Sequence, residues 1–228
     1  MIPLRDDLPT RTTPYLTIGF IVACSAIFLW QLSLGERGFE IAVYSLGVIP
    51  ATLLGNESLP PEFFRIPPTL TVFSSMFLHG GWMHLISNML YLWIFGNNVE
   101  DSMGHMRFVI FYLACGVAAA LVQALPNPDS VIPMIGASGA ISGVLGAYLL
   151  LHPRAHVLVL VPLGFLTQLV RMPAMLVLGL WFLLQLVSQA LADPQAGGVA
   201  FGAHIGGFLA GMALIPFFKR RSVRFFTP

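Results

Sequence analysis

Charge is what this chain has least of. Only 9% of its 228 residues are Asp, Glu, Lys or Arg, while 57% are hydrophobic. A soluble domain carries about 25% charge, and here mean hydropathy is +0.82, which excludes water as the main solvent. The net charge is +1, so no basic excess is available to attract a nucleic acid, and no such partner is expected. Cysteine is scarce as well. Cys24 and Cys115 fall inside separate apolar runs, a spacing that offers neither a disulfide framework nor a set of metal ligands. Both read as small buried side chains, and no metal or cofactor is expected.

Long apolar runs are what the chain does have. About 20 apolar residues cross the hydrocarbon core of a bilayer, and that ruler picks out six segments: roughly Tyr15–Leu34, Trp82–Val99, Arg107–Leu125, Ala137–Leu151, Ala174–Leu191 and Phe201–Phe218. A long, proline-rich connection from Gly35 to about Leu78 separates the first two. Arg5, Asp6, Asp7 and Arg11 precede the first run, which is too long for a signal-peptide core and lacks a cleavage site, so it reads as a retained span. No internal repeat or low-complexity tract interrupts the pattern. The expectation is an all-α, polytopic membrane protein: one six-helix membrane domain over 1–228, with a short tail at about 1–14 and a basic tail at about 219–228.

The stretch His156 to Val170 is apolar but short, contains Pro162, Gly164 and Gln168, and is bracketed by Arg154 and Arg171. It reads as an interfacial loop. Six spans then bring His84, Ser138 and His204 to one membrane face, whereas a seventh would send His204 to the other. With the N-terminus cytoplasmic, the inner segments hold Arg5, Arg11, Arg107, Arg154, Arg171, Lys219, Arg220, Arg221 and Arg224, against Arg37 and Arg65 outside. The positive-inside rule therefore favours cytoplasmic termini and an outward-facing site in a cell membrane.

Polar residues inside such spans are expensive and normally have a task. Ser138 lies in Gly136-Ala137-Ser138-Gly139 at a helix start, where unpaired backbone N–H groups gather. A serine hydroxyl is a weak nucleophile until a base within hydrogen-bond reach removes its proton. Small residues recur at Ser138, Ser142 and Gly146, and span six answers with His204, Gly207 and Gly211 on one face. Such faces let two helices approach closely, close enough for His204 to meet Ser138. A packing seam with a buried histidine would explain the glycines but not why His204 and Ser138 share one depth. His84 and Asn88 are four residues apart and share a helix face. The Asn88 amide suits a tetrahedral oxyanion. His79 reads as a wet, inert interfacial cap. These features together point to peptide hydrolysis inside the membrane.

In this order the motifs resemble those of the rhomboid intramembrane serine proteases. The resemblance runs from about Thr71 to Phe218 and includes His84-x-x-x-Asn88, Gly136-x-Ser138-Gly139 and Ala203-His204-x-Gly206-Gly207-x-x-x-Gly211. Phe95-Gly96-Asn97-Asn98-Val99-Glu100-Asp101, Met103-Gly104-His105 and Arg107-Phe108 also match. It implies a serine endopeptidase with Ser138 as nucleophile and His204 as general base, without a third carboxylate. His84, Asn88 and the Ser138 N–H would then form the oxyanion hole. Transmembrane proteins would be the substrates and the lipid bilayer the surroundings; the oligomeric state stays open. Many members carry an aromatic residue four positions after the nucleophile, stacked on the histidine; here it is Ser142. Many also carry a Trp-Arg pair in the first loop, where this chain reads Leu70-Thr71.

Glu100 and Asp101 are expected to close the inner end of span two, pairing with Arg107 or capping the next helix. Asp193 is expected to face water, in a loop with Gly197 and Gly198 that could serve as a lid. Two other functions compete. A catalytically inactive relative would bind client transmembrane segments without needing Ser138. A channel or transporter would need a polar path through the full thickness, yet the polar residues cluster at one face. If His204 acts as a base, activity should fall as pH drops through its pKa.

Overall fold

The computed structural model describes residues 1–55, 57–163, 166–193 and 198–227. All six apolar segments form helices: α1 (Tyr15–Ser33), α5 (Trp82–Met103), α6 (His105–Ala124), α7 (Ser138–Leu151), α8 (Ala174–Leu191) and α9 (Phe201–Phe218). The connection after α1 is itself structured as α2 (Gly35–Leu46), α3 (Pro50–Leu53) and α4 (Pro68–Ser74), followed by a 3-10 turn at Ser75–Phe77. Among the described residues four helices, α1, α6, α8 and α9, are long and apolar enough to cross a membrane. In α5 the apolar run is diluted by Asn97, Asn98, Glu100 and Asp101, and α7 has 14 residues. The chain is a mostly helical, integral multi-pass membrane protein.

The expectation of an all-α fold needs a correction at one end. His156–Leu163 (β2) and Leu166–Pro173 (β3) form an antiparallel hairpin, with His156 opposite Pro173 and Leu163 opposite Leu166. Ile2–Asp6 (β1) joins the free edge of β2, Ile2 opposite Leu160 and Asp6 opposite Val157. The stretch read as an interfacial loop is therefore a sheet, and so is much of the segment read as an N-terminal tail. Strands win here because Val157, Val159 and Val161 alternate, and β-branched residues favour the pleated surface. Val157 and Val159 are fully buried. Gly164 lies outside the described residues.

α7 is the hub. Every residue from Gly139 to Tyr148 is buried, and α6 and α9 pack along it. The approach to α9 is so close that a Cβ on Gly207 would meet the Gly139 carbonyl oxygen, and one on Gly211 that of Gly143. The small-residue seam expected between these helices is thus their contact surface. α8 is different, with buried residues only in its first turns, at Ala174, Val177 and Leu178. Leu183, Leu184, Leu186, Val187 and Leu191 beyond it are exposed, as suits a face turned to lipid.

The end of the bundle away from the starts of α5, α7 and α9 is laced by polar contacts. Fully buried Glu100 accepts hydrogen bonds from Leu16 N (3.0 Å), Thr17 N (2.8 Å) and Thr17 Oγ1 (2.7 Å), and lies 2.6 Å from His105 Nδ1. Asp101 accepts from Thr12 Oγ1 at 2.6 Å and Arg11 N at 3.2 Å. The expected partners were different: the carboxylates cap and hold α1, and Arg107 instead donates to the Phe218 carbonyl at 3.4 Å. The reason is helix ends: the first N–H groups of α1 need acceptors, and no side chain of its own caps it. Asp6 accepts from Tyr148 Oη at 2.7 Å and Asn98 Nδ2 at 2.5 Å, tying β1 to α5 and α7.

Candidate active site

At the opposite end, α5, α7 and α9 all begin around one cavity of about 1030 Å³. Ser138, His204, His84 and Asn88 all line it.

Ser138 is the first residue of α7 and half-buried. Gly136 sets it there: its φ of +124° suits a residue without a side chain, and its N–H donates to the Ser75 carbonyl at 2.9 Å. A Cβ at Gly136 would lie 2.6 Å from His84 Nε2 and 3.7 Å from Ser138 Oγ. The histidine ring and the hydroxyl thus flank the same glycine. The first N–H groups of α7 have no intrahelical partner, and among the described residues no side chain caps them.

His84 has its tautomer set locally. The Gly80 N–H donates to His84 Nδ1 at 3.3 Å, so Nδ1 is the acceptor and a neutral ring carries its proton on Nε2. That leaves an N–H donor beside Gly136. Asn88 is one turn on and 6% exposed. Its Nδ2 is buried and finds no hydrogen-bond partner among the described residues. A buried, unsatisfied donor costs about 1–3 kcal/mol, which a ligand oxygen would recover.

His204 meets α8. Its Nδ1 lies 2.8 Å from Gln185 Oε1, with the Trp181 ring tilted 34° to it at 5.8 Å and the Phe201 ring edge-on at 6.4 Å. Ser142, the departure from the family pattern, is buried and donates to the Ser138 carbonyl at 2.6 Å; it does not stack on the histidine. Gln123 on α6 accepts from Ala203 N at 3.0 Å, capping α9 next to His204. Neither Gln185 nor Gln123 stands out in the sequence as a site residue. The available signal was a lone amide within an apolar span, which is expensive unless used.

His79 departs from its expected wet position. It is fully buried, with its N–H given to Gln31 Oε1 at 3.0 Å and its ring edge-on to His84 at 5.2 Å. The cause is the turn before α5, which tucks His79 under α1 while α5 faces the cavity. Burial, helped by the neighbouring His84, holds its pKa down at about 4. Leu70 is exposed, whereas Thr71 is buried and donates to the Pro68 carbonyl at 2.6 Å. Cys24 and Cys115 are fully buried free thiols, as expected. Among the described residues no His, Cys, Asp and Glu cluster could hold a metal. Asp193 is exposed; Gly197, part of the suggested lid, lies outside the described residues.

The model of the rhomboid domain family matches residues 67–221. Over 192 residues the chain is 33% identical to Rhomboid-like protease 5 of Toxoplasma gondii, a match covering 80% of this chain and 19% of that protein. It is 28% identical to Rhomboid-like protein 11, chloroplastic, of Arabidopsis thaliana over 191 residues, 78% of this chain and 63% of that one. Rhomboid protease GluP of Bacillus subtilis (strain 168) is 33% identical over 145 residues, 64% of this chain and 25% of that protein. The chain spans less than two thirds of the length of each of these relatives. Because the matched stretch takes in well over half the sequence and every residue that brings a polar atom to the cavity from α5, α7 and α9, the chain belongs to the rhomboid family.

Proposed function

We propose that this protein is an intramembrane serine endopeptidase that cleaves transmembrane segments of other membrane proteins. The observation that carries the reading is the meeting of Ser138, His204, His84 and Asn88, from three helices, around one cavity. The same reading takes the chain as one membrane domain crossing six times, in a cell membrane, with cytoplasmic termini and the cavity facing outward. At 1.5 Å per residue a 14-residue helix is about 21 Å long, short of the roughly 30 Å hydrocarbon thickness. α7 would therefore begin below the outer surface, which puts Ser138 inside the membrane and calls for a water-holding cavity such as the one seen.

Ser138 Oγ attacks the scissile carbonyl carbon while His204 Nε2 takes the hydroxyl proton. The tetrahedral oxyanion collects N–H donors from the first turn of α7, His84 Nε2 and Asn88 Nδ2. The C–N bond breaks as His204 returns the proton to the leaving amine. Water then attacks the acyl-Ser138 ester, with His204 again as base, releasing the carboxyl product and the free hydroxyl. A substrate helix hides its carbonyls in its own hydrogen bonds. Cleavage sites are therefore expected near helix-weakening Gly or Pro.

The test is cleavage of a single-span substrate in detergent by Ser138→Ala and His204→Ala variants. Each should lose activity by about 10⁴-fold or more. Unchanged cleavage by either removes the dyad. Client co-purification independent of Ser138, without any cleavage, would favour an inactive binding protein instead.

A further inference from the structure

Gln185 is the polar interruption in the run Leu-Gly-Leu-Trp-Phe-Leu-Leu-Gln-Leu-Val of α8. Its amide is used at both ends. Nε2 donates to the Trp181 carbonyl, one turn back, at 3.2 Å. A carbonyl only accepts, so this bond fixes which way the amide lies and turns Oε1 toward His204. Oε1 is itself an acceptor only, and it sits 2.8 Å from His204 Nδ1. The proton in that bond must therefore be on Nδ1. A neutral imidazole protonated at Nδ1 keeps its lone pair on Nε2.

From these contacts we infer that Gln185 is a positioning residue, which holds His204 as the Nδ1–H tautomer so that Nε2 is free to accept the Ser138 proton. The inference rests on the protease reading for its catalytic meaning, and on the hydrogen bonds alone for the tautomer. Gln185 thereby fills the place of the third group in a nucleophile–base–orienter arrangement. An amide has an advantage at this depth. A carboxylate would be a second charge to bury within the span, whereas the amide oxygen stays neutral. Its bond from Nδ1–H still strengthens when His204 becomes imidazolium, because charge-assisted hydrogen bonds are roughly twice as strong. Trp181, on the preceding turn of the same helix, covers the ring. Both devices come from α8, while Ser142 is occupied with the Ser138 carbonyl.

The experiment combines kinetics with ¹⁵N-histidine NMR of the full chain in detergent, the His204 signals identified by their loss in His204→Asn. In the wild type the resting ring should be protonated at Nδ1. In Gln185→Met, which keeps length and helix propensity, the Nε2–H tautomer should gain population. Its kcat should fall about 10–100-fold, with KM within about twofold. Gln185→Glu, which restores an acceptor for Nδ1–H, should recover most of the loss. A wild-type ring protonated at Nε2 overturns the inference whatever the variants do. So does an unchanged kcat in Gln185→Met while Ser138→Ala is inactive. If Ser138→Ala cleaves like the wild type, the protease reading fails, and the tautomer spectrum still decides the role of Gln185.

Discussion

Asn88 shows how a single buried atom can be read. Its Nδ2 is buried and unpartnered among the described residues, while Asn88 as a residue lines the cavity that holds Ser138. Evolution toward stability alone would replace such a donor, since leaving it unsatisfied destabilises the fold. Asn88→Ala should therefore cost kcat about 10²–10³-fold, with KM nearly unchanged and thermal stability equal to or above that of the wild type. Steady-state kinetics together with a melting curve check both halves; a melting temperature that drops with activity would assign Asn88 to packing. Ser138, His84, Asn88 and His204 could be singled out in the sequence because each is a polar residue in an apolar run. Gln185 has the same property. It is not legible as a site residue because its partner lies on another helix and no local spacing links the two.

Among the helices, the contact of α7 with α9 has no slack. A Cβ at Gly207 would collide with the Gly139 backbone, and backbone cannot swing aside as a side chain can. Gly207→Ala should push α9 away from α7, destabilise the protein by about 1–3 kcal/mol and separate His204 from Ser138. Cleavage should fall with stability. Gly179→Ala is the contrasting case, since none of the described residues lies within 4 Å of a Cβ there and alanine is the better helix former by up to about 1 kcal/mol. Unfolding in SDS titrations should separate the two variants in opposite directions. At the end away from the cavity, Glu100→Ala would strip three donors at the start of α1 of their acceptor, an expected loss of at least about 2 kcal/mol by the same assay. Helices were legible because apolar runs of membrane length have few other solutions. The hairpin was not: in His156–Leu163 both faces are apolar, so the period-two pattern of its valines is masked. The pairing of β1 depends on a partner roughly 150 residues away.

The two ends of the molecule respond to acid with opposite sign. His79, outside the spans and in ring contact with the cavity-lining His84, is fully buried with its pKa held at about 4, first by desolvation and then by His84. Its folded value is depressed, so its contribution to stability is complete above the unfolded value near 6.5. It is lost as pH falls through about 4. Asp6, at the end away from the cavity, is shifted the other way. Burial raises its pKa, Asp7 adds to the rise, and the hydrogen bonds from Tyr148 and Asn98 oppose it. Its contribution is complete below the ordinary carboxylate value of 3.8 and is lost as pH rises through its folded value. Between pH 7 and 4 the end at the cavity therefore loosens while the end at β1 tightens. His79 charges over this range, so the acid limb of the stability curve is assigned to it, and the protein should unfold more easily at about pH 4.5 than at pH 7. His79→Asn should flatten that acid limb, because an amide cannot charge. Asp6→Asn should leave the acid limb in place and raise stability only above the Asp6 pKa. SDS unfolding of the three proteins across about pH 4–8 tests this; an acid limb unchanged in His79→Asn would trace the pH dependence to another group.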